Sequence, residues 1–413
     1  MAVGLVLLAA LVVESPPGVA GSTVPVIEYR GGHWYDGVRF RQRDLYVQGP
    51  VIVKRPERGA DRVVDLGGAW VVPGFAEAHH HTVLCDPARI RSFLNAGIVY
   101  AAILNARVSS RACQSKFHGP GGLEAINALA GLTARDAHPS QIGRFFLNEK
   151  DIDGEWVYYI DSPGELKEKW PTILGAQPDL VKVFLSYSES FEHLRDDPSV
   201  PSWYRGIDPA LVPGIVARAH GAGLRVAAHV MSATDFEVAV DAGVDFVAHL
   251  PGFAPGNAFT PDQAPHPFLA ALGPNDPRYR LSSAQAAEAA LRGAAVMTTV
   301  SEGPEPSATV RHNLEVLRAA GVQLLIGSDR GEFNSVDEAV YLVHHGLLPA
   351  SEVLHSLSIG TPRTLFPGRK IGRLDAGYEA TFVVLAANPL EDFNAIRKVL
   401  RVVKKGHPPT EMF

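Results

Sequence analysis

Strand-like and helix-like segments alternate through the middle of this 413-residue chain, and this alternation limits the possible folds more than any other feature. The apolar, β-branched run at 180–185 is followed by a helical pattern at 209–220. A second strand at 224–229, a helix that Gly243 closes and a third strand at 244–249 come next. Repeated β-then-α units are typical of a parallel sheet, because parallel strands need crossover connections.

Similar units continue over residues 71–365, and their number favours a closed (β/α)₈ barrel of the TIM type over an open sheet. Two helix starts are predicted from capping boxes, in which a hydroxyl residue precedes an acidic residue by three positions. One box is Thr234 with Glu237, and the other is Ser335 with Glu338 after a strand at 322–327.

Both ends of the mature chain are rich in short β-like runs. Residues 22–70 contain three such runs, separated by Gly and Pro and without a helical period. They lie at 26–29, 44–47 and 62–65. Residues 377–403 return to β character, most strongly at 380–385, within a C-terminal segment expected over 366–413. Because neither end has enough strands to bury a face alone, we expect the two to form one small β-sandwich domain beside the barrel.

Residues 1–20 are expected to be a signal peptide that is cleaved after about Ala20. The run 3–13 is uncharged and almost wholly apolar, although no Lys or Arg occurs before Arg30. The run is too short to cross about 30 Å of hydrocarbon as a helix, so no stable membrane anchor is expected. The predicted location is periplasmic or secreted.

The two cysteines, Cys85 and Cys113, show no zinc-ribbon spacing and are not expected to bind metal. In an oxidising compartment they could form a disulfide, and two unpaired thiols are an equally open alternative. The chain carries 38 Lys and Arg against 44 Asp and Glu, without a long basic run. Nucleic acid is therefore not expected as a partner.

Metal-binding side chains stand at the carboxyl ends of the predicted strands, where (β/α)₈ barrels place their active sites. In an extended segment, residues two apart point to the same side, so His79 and His81 can reach one ion. Lys182 lies in an apolar run, where an unpaired ammonium is unfavourable. Four imidazoles, one carboxylate and one lysine suit two divalent ions. The six candidates are His79, His81, Lys182, His229, His249 and Asp329.

This arrangement resembles the amidohydrolase superfamily, in which Pro73-Gly74-Phe75 would lead into the His79-x-His81 pair. It is most similar to the branch of imidazolonepropionase-like proteins and metal-dependent dipeptidases. The resemblance extends to the tail, through Thr361-Pro362, Gly372-Arg373-Leu374 and Asn388-Pro389-Leu390. Glu77 stands where an Asp is usual, and residues 105–175 match no family pattern. These departures leave the substrate open.

The resemblance implies a metal-dependent amidohydrolase that cleaves a C–N bond of an amide, a dipeptide or a cyclic amide. One ion would be held by His79, His81 and Asp329, and the other by His229 and His249. A Lys182 carboxylated by CO₂ and a hydroxide would bridge two ions, with Zn²⁺ as the default metal. Asp329 and Lys182 are the expected catalytic residues. The expected partner is a small-molecule substrate, and a homo-oligomer is possible.

Three other functions are considered. Phosphotriester or lactone hydrolysis would use the same binuclear site. A deaminase with one metal is disfavoured, because Ser232 occupies a position that is usually Glu in that branch. A non-catalytic binding protein on a retained barrel is the third alternative.

Other polar residues are expected to have structural or solvated roles. His80 should point away from the site and pack against a helix. His344 and His345 are expected at the surface or in packing. Tyr187, Ser188 and Arg330 follow strand ends where substrate contacts would fall. The Lys404-Lys405 pair is expected in a solvated turn.

Overall fold

The computed structural model describes residues 24–81, 85–116, 121–253, 273, 275–301, 305–329 and 331–407. The expected signal peptide at 1–20 lies outside the described residues, as does Arg330. Among the described residues, no helix is both long enough and apolar enough to cross a membrane.

The β-strands of the described chain are numbered in order. They are β1 Val26–Tyr35, β2 Phe40–Gln48, β3 Val51–Val53, β4 Arg62–Asp65, β5 Trp70–Pro73, β6 Phe75–His81, β7 Ile98–Asn105, β8 Glu124–Asn127, β9 Gly131–Thr133, β10 Val157–Tyr159, β11 Leu180–Phe184, β12 Arg225–His229, β13 Phe246–Ala248, β14 Ala295–Met297, β15 Leu324–Leu325, β16 Phe382–Leu385 and β17 Val399–Val403.

The α-helices are numbered in the same way. They are α1 Pro87–Asn95, α2 Arg111–Lys116, α3 Ser140–Gly143, α4 Pro163–Gly175, α5 Phe191–Leu194, α6 Val212–Gly221, α7 Ala233–Ala242, α8 Ser283–Arg292, α9 Ala308–Ala319, α10 Ser335–His344, α11 Ala350–His355 and α12 Thr361–Leu365. A π-helical turn, Ser356–Gly360, joins α11 to α12.

The two ends of the chain meet in one seven-stranded sheet. Its order is β17-β16-β5-β1-β2-β3, with β4 paired to β1. Trp34 of β1 packs edge-on against Phe382 of β16, with ring centroids 5.5 Å apart. The expected union of the two ends is therefore present as a single sheet. A β-sandwich needs two facing sheets, and that finer arrangement stays a prediction.

The middle of the chain forms parallel sheets, which confirms the α/β class. One sheet has the order β10-β9-β11-β12-β13-β14-β15, and another has the order β6-β7-β8. Every residue of β7 is buried. A continuous buried strand of this kind is typical of a parallel sheet that is covered on both faces.

Both edges of the three-stranded sheet are linked by backbone hydrogen bonds to segments that lie next to strands of the larger parallel sheet. The amides of Ala78 and Asp329 donate to the carbonyls of Ile326 (2.9 Å) and His79 (2.8 Å), linking β6 to the segment after β15. The amide of Asp179, just before β11, donates to the carbonyl of Asn127 at 2.8 Å. Closure of all these strands into a barrel stays a prediction.

Both predicted capping boxes are wrong, by two residues at α7 and by one at α10, because the acidic side chains form tertiary contacts. Helix α7 begins after Ser232, whose side chain and that of Asp235 cap each other's amides. Helix α10 is capped by Asn334 and Asp337. Glu338, assigned to this cap from the sequence, is instead buried and accepts the amides of residues 300 and 301 at 2.9 Å each.

Lys404 is another correction, since it is fully buried rather than solvated. Its Nζ lies 2.9 Å from Oε1 of Glu124 in β8 and also donates to the carbonyl of Gly122. Glu124 additionally pairs with Lys405 and Arg369, each at 2.8 Å. A network of charges therefore joins the C-terminal segment to the three-stranded parallel sheet.

Candidate metal centre

All six candidate residues line one cavity of about 340 Å³. His79 and His81 come from β6, Lys182 from the middle of β11, and His229 from the last position of β12. His249 directly follows β13, and Asp329 follows β15. In the ladder, His229 is paired with Ala248, so the chain brings His249 beside it. The ring centroids of His229 and His249 are 4.7 Å apart.

Asp329 contacts three of the four imidazoles. Its Oδ1 lies 2.8 Å from Nε2 of His81 and 3.1 Å from Nε2 of His79, and its Oδ2 lies 3.7 Å from Nδ1 of His249. Both Asp329 (φ 59°) and His249 (φ 81°) have left-handed backbone conformations. Such conformations are unfavourable for residues with a Cβ and concentrate at functional sites.

The grouping of these atoms differs in one respect from the expected ligand sets. Ligand atoms of His79, His249 and Asp329 all lie within 4.8 Å of one another. The resemblance assigns His249 to the other ion, together with His229. Asp329 is therefore close to members of both expected ligand sets.

Lys182 and His229 have buried nitrogen atoms without a hydrogen-bond partner. The Nζ of Lys182 and the Nε2 of His229 are both in this state. Lys182 is fully buried, and its Nζ lies 5.3 Å from the centre of the Phe184 ring. Burial lowers the pKa of Lys182 to about 7, against the opposing charge of Asp329. A neutral amine is the form that can take up CO₂.

The buried imidazoles are held in their neutral form. Burial lowers the pKa of His79, His229 and His249 well below the usual range, and neighbouring cationic groups lower it further. Burial raises the pKa of Asp329, but His249, His81 and Lys182 lower it to about 2. At His79 and His249, an anionic Asp329 therefore faces neutral rings. Neutral imidazole is the form that binds metal.

Neighbouring groups orient two of the rings. Nδ1 of His81 lies 3.0 Å from the carbonyl of Asn105, and Nδ1 of His249 lies 2.8 Å from Oγ1 of Thr299. A partner on one ring nitrogen fixes the tautomer and the direction of the other nitrogen. For His81, the nitrogen left for a ligand is the Nε2 that faces Asp329.

Glu77 supports the strand that carries the histidines. This fully buried carboxyl accepts the amides of His79 (2.9 Å) and Ser328 (2.8 Å) and the hydroxyl of Ser328 (2.9 Å). Burial raises the pKa of Glu77 to about 8 even though these hydrogen bonds lower it. Glu77 thereby ties β6 to the segment that precedes Asp329.

The structure also separates site residues from their neighbours. His80 packs edge-on against Phe93 of α1, with ring centroids 5.0 Å apart, which confirms that it points away. Tyr187 and Ser188 do not line the cavity. The hydroxyl of Tyr187 is 2.8 Å from that of Tyr279, and Ser188 donates to Asp235. Arg330, the third residue noted past a strand end, lies outside the described residues.

Sequence reasoning missed His138, which lines the cavity beside His229, with ring centroids 4.6 Å apart. It lies within 105–175, the segment without a family pattern, and burial lowers its pKa to about 3. Pro139 after it is the local sequence signal for a turn, and the short helix α3 follows this proline. The proline does not indicate that the turn lies over the ends of the strands.

Cys85 and Cys113 form a disulfide. Cys85 lies just before α1, which follows the histidine strand β6, and Cys113 lies in α2, which follows β7. The bond therefore joins the segments that leave two adjacent strands on the side of the cavity. Of the two alternatives that the sequence left open, the bonded pair is the one present.

The residues present fit a divalent metal centre. Unpaired, fully buried nitrogens are unfavourable in a protein interior unless a ligand satisfies them. Here, such atoms belong to His229 and Lys182, and both side chains line one cavity together with the Asp329 carboxylate. Nitrogen and carboxylate donors in this combination suit zinc and similar ions.

Residues 201–408, half of the chain, match the model of the amidohydrolase family. The chain belongs to the amidohydrolase family. As a member, it is a hydrolase that acts on carbon–nitrogen bonds. The matched range includes His229, His249 and Asp329, whereas His79, His81 and Lys182 precede it. The chain has no significant sequence match among curated proteins.

Several solved amidohydrolase structures have the same fold. The chain is similar to a prolidase complexed with N-methylphosphonate-L-proline (19% identity, TM-score 0.67, covering 93% of this chain and 99% of that one). It is also similar to A. niger ochratoxinase (16%, 0.69, 93% and 95%). A third similar structure is molinate hydrolase (15%, 0.70, 94% and 95%). At these identities the likeness shows the fold alone.

Proposed function

We propose that the protein is a metal-dependent amidohydrolase that cleaves a C–N bond in a small amide, dipeptide or cyclic amide. One observation carries the proposal: four imidazoles, Asp329 and Lys182 line a single cavity, and the buried Nε2 of His229 and Nζ of Lys182 have no hydrogen-bond partner. The similar structures named as prolidase and as hydrolases support the same reaction class. The proposed scaffold is a closed (β/α)₈ barrel over residues 71–365, with a β-sandwich built from residues 22–70 and 366–413.

Two divalent ions, with zinc as the default, would be held by the six candidate residues. His79, His81 and Asp329 would hold one ion, and His229 and His249 the other. A carboxylated Lys182 would lie between them. When bound, such ions lower the pKa of water toward about 7 and polarise a carbonyl oxygen.

The chain's own residues supply orientation and proton transfer. Asp329 is ionised at neutral pH, so its Oδ atoms can accept a proton from the attacking water and deliver it to the leaving nitrogen. Its contact with Nε2 of His81 fixes the direction of one oxygen. The apolar side chains that line the cavity lower the local polarity, which strengthens electrostatic interactions beside them.

Export to the periplasm or the exterior is part of the proposal. The bonded Cys85–Cys113 pair supports it, because disulfides persist mainly in oxidising compartments. The apolar run at 3–13 is the second supporting feature.

The test is hydrolysis by protein reconstituted with zinc and bicarbonate, across N-acyl amino acids, dipeptides, cyclic imides, lactones and phosphotriesters. The proposal expects the C–N substrates to be cleaved and expects Asp329→Asn to lose at least about 100-fold in kcat/KM. A matched variant, Asp241→Asn, changes an exposed carboxylate on α7 and should keep full activity. Preferential cleavage of lactones or phosphotriesters would overturn the substrate class, and full activity of Asp329→Asn would overturn the assigned role.

A further inference from the structure

The walls of the cavity above the candidate metal ligands are mostly aromatic. Six aromatic side chains line it, together with Ile142 and Met231. They are Phe146, Trp156, Phe184, Trp203, Tyr204 and Phe253. Phe253 stacks on the ring of His249, with centroids 4.0 Å apart and planes within 9° of parallel. Apolar surface therefore begins directly beside the ligands.

Charged groups are scarce in the same lining. Among the described residues that line the cavity, Lys182 and Asp329 are the charged side chains, and both belong to the proposed metal centre. Arg144, two positions before Phe146, donates to Glu149 at 2.7 Å and is not part of the lining. Arg205, which follows Tyr204, lines a separate surface cavity together with acidic residues.

Two further polar side chains of the lining, Asn105 and His138, already have hydrogen-bond partners. The amide of Asn105 accepts from the backbone of Gly131 at 2.9 Å and donates to the carbonyl of Trp156 at 3.3 Å. Nδ1 of His138 lies 2.9 Å from Nε2 of Gln141. Neither residue offers the paired donors that a carboxylate requires.

We propose that the substrate is an uncharged amide-type compound with an aromatic ring or other bulky apolar group next to the scissile C–N bond, and not a dipeptide with a free terminal carboxylate. This inference rests on the proposed function, whose substrate class it narrows. Outside the proposed metal centre, the described residues of these walls offer a carboxylate no cationic partner, so it would lose its hydration there, whereas a ring would bury apolar surface. Oriented polar groups and apolar walls are the usual composition of a site for such ligands.

The test is binding to the zinc-loaded protein, measured by calorimetry with three matched probes. All have a benzanilide core, and the para position of the aniline ring carries a methyl, a cyano or a carboxylate group. The cyano probe controls for electron withdrawal without charge. Both neutral probes should bind at least about 10-fold more tightly than the carboxylate. Equal or tighter binding of the carboxylate, or no binding of the neutral probes, would overturn the inference.

Phe145 and Phe146 provide a matched pair of variants. Both are exposed, by 80% and 62%, so neither change should unfold the protein, but Phe146 alone of the two lines the cavity. Phe146→Ala should weaken binding of the methyl probe about 5-fold, and Phe146→Arg should improve binding of the carboxylate probe. Phe145→Ala and Phe145→Arg should change neither. Equal effects at the two positions would contradict the assigned wall.

Turnover of the same probes keeps the two proposals distinguishable. Preferential binding of neutral probes without cleavage of any amide would refute the proposed function. The inferred preference of the cavity for a neutral, apolar ligand would still be supported. Amide cleavage with a preference for the carboxylate would refute the present inference alone.

Discussion

At the scale of single residues, His80 and His229 are both buried imidazoles near the ends of parallel strands, but they face different surroundings. His80 packs on Phe93, and its Nδ1 lies 2.6 Å from the carbonyl of His81. His229 lines the cavity among His138, His249 and Phe184. Position relative to the cavity, rather than burial, therefore separates a packing histidine from a candidate ligand.

The first prediction compares substitutions at these two positions. His229→Asn should lower the zinc content of the folded protein by about one ion per chain, because it removes a candidate ligand. His80→Asn should keep the wild-type zinc content. Plasma emission spectrometry on protein purified by size exclusion measures both. Equal zinc content in the two variants would count against the role of His229.

The six polar residues at the cavity could be predicted from the sequence, because each one follows or interrupts an apolar strand. In a (β/α)₈ barrel, the ends of the strands meet at one rim. It did not reach His138, Trp203 or Phe253. These residues lie in connecting segments whose positions depend on long-range packing, which a periodic pattern does not report. The direction of His80, by contrast, followed from simple alternation along β6.

At the scale of elements, Gly327 allows the segment after β15 to approach β6 closely. A Cβ at this position would lie 2.7 Å from the amide nitrogen of His79 and 2.9 Å from its Cβ. The approach permits the hydrogen bond from Asp329 to the carbonyl of His79 and places the carboxylate against the imidazoles.

The second prediction follows from this contact. Gly327→Ala should force β6 and the Asp329 segment apart, lowering the free energy of unfolding by about 2 kcal/mol and weakening zinc binding. Gly214→Ala in α6 is the control, since its Cβ would meet nothing within 4 Å and alanine favours helix. Chemical denaturation and zinc titration provide the readouts. Wild-type zinc affinity in Gly327→Ala would show that the approach does not set the centre.

The third prediction concerns the disulfide, which closes a loop between cysteines 28 positions apart. The double variant Cys85→Ser/Cys113→Ser should lose about 3 kcal/mol of stability, because its unfolded chain is less restricted. Neither cysteine lines the cavity, so zinc content should stay unchanged. Unfolding of oxidised protein, reduced protein and the variant tests this. Identical stability of oxidised protein and the variant would contradict it.

Elements themselves were predictable where local sequence decides their structure. The strand at 62–65 was expected with the bounds that the structure shows, and the run 180–185 differs by one residue. Helix starts were less predictable. Asp235 accepts amides from the loops after β11 and β12, including those of Tyr187 (2.9 Å) and Met231 (2.9 Å), and this contact fixes where α7 begins. The local pattern alone fits a start two residues later equally well.

At the scale of the whole molecule, the Glu124 network holds the seven-stranded sheet against the parallel sheets. Burial raises the pKa of Glu124, but Lys404, Lys405 and Arg369 lower it to about 2. Because the folded pKa lies below the ordinary value of 4.5, this carboxylate stabilises the protein above about pH 4.5. The contribution disappears as the pH falls through about 2. The burial of Lys404 follows from this distant pairing, which a two-lysine motif in the sequence cannot reveal.

The fourth prediction is therefore a pH-dependent difference. Glu124→Gln should be less stable than wild type by about 2 kcal/mol at pH 7, and the difference should shrink steadily between pH 4.5 and 2. Asp392→Asn, at an exposed carboxylate 4.0 Å from Lys398, should show almost no difference. Urea unfolding across this pH range measures both. A constant difference between the Glu124→Gln variant and wild type at all pH values would refute the electrostatic origin.

Six side chains, carried by five strands or by the segments that directly follow them, are proposed to hold a pair of ions, with Lys182 between them. The most direct measurement is the zinc stoichiometry of the protein and of Lys182→Ala, both reconstituted with zinc and bicarbonate and freed of excess metal. We expect about two zinc ions per wild-type chain and at most about one in the variant. One or no zinc ion in the wild type, or an unchanged pair in Lys182→Ala, would contradict it.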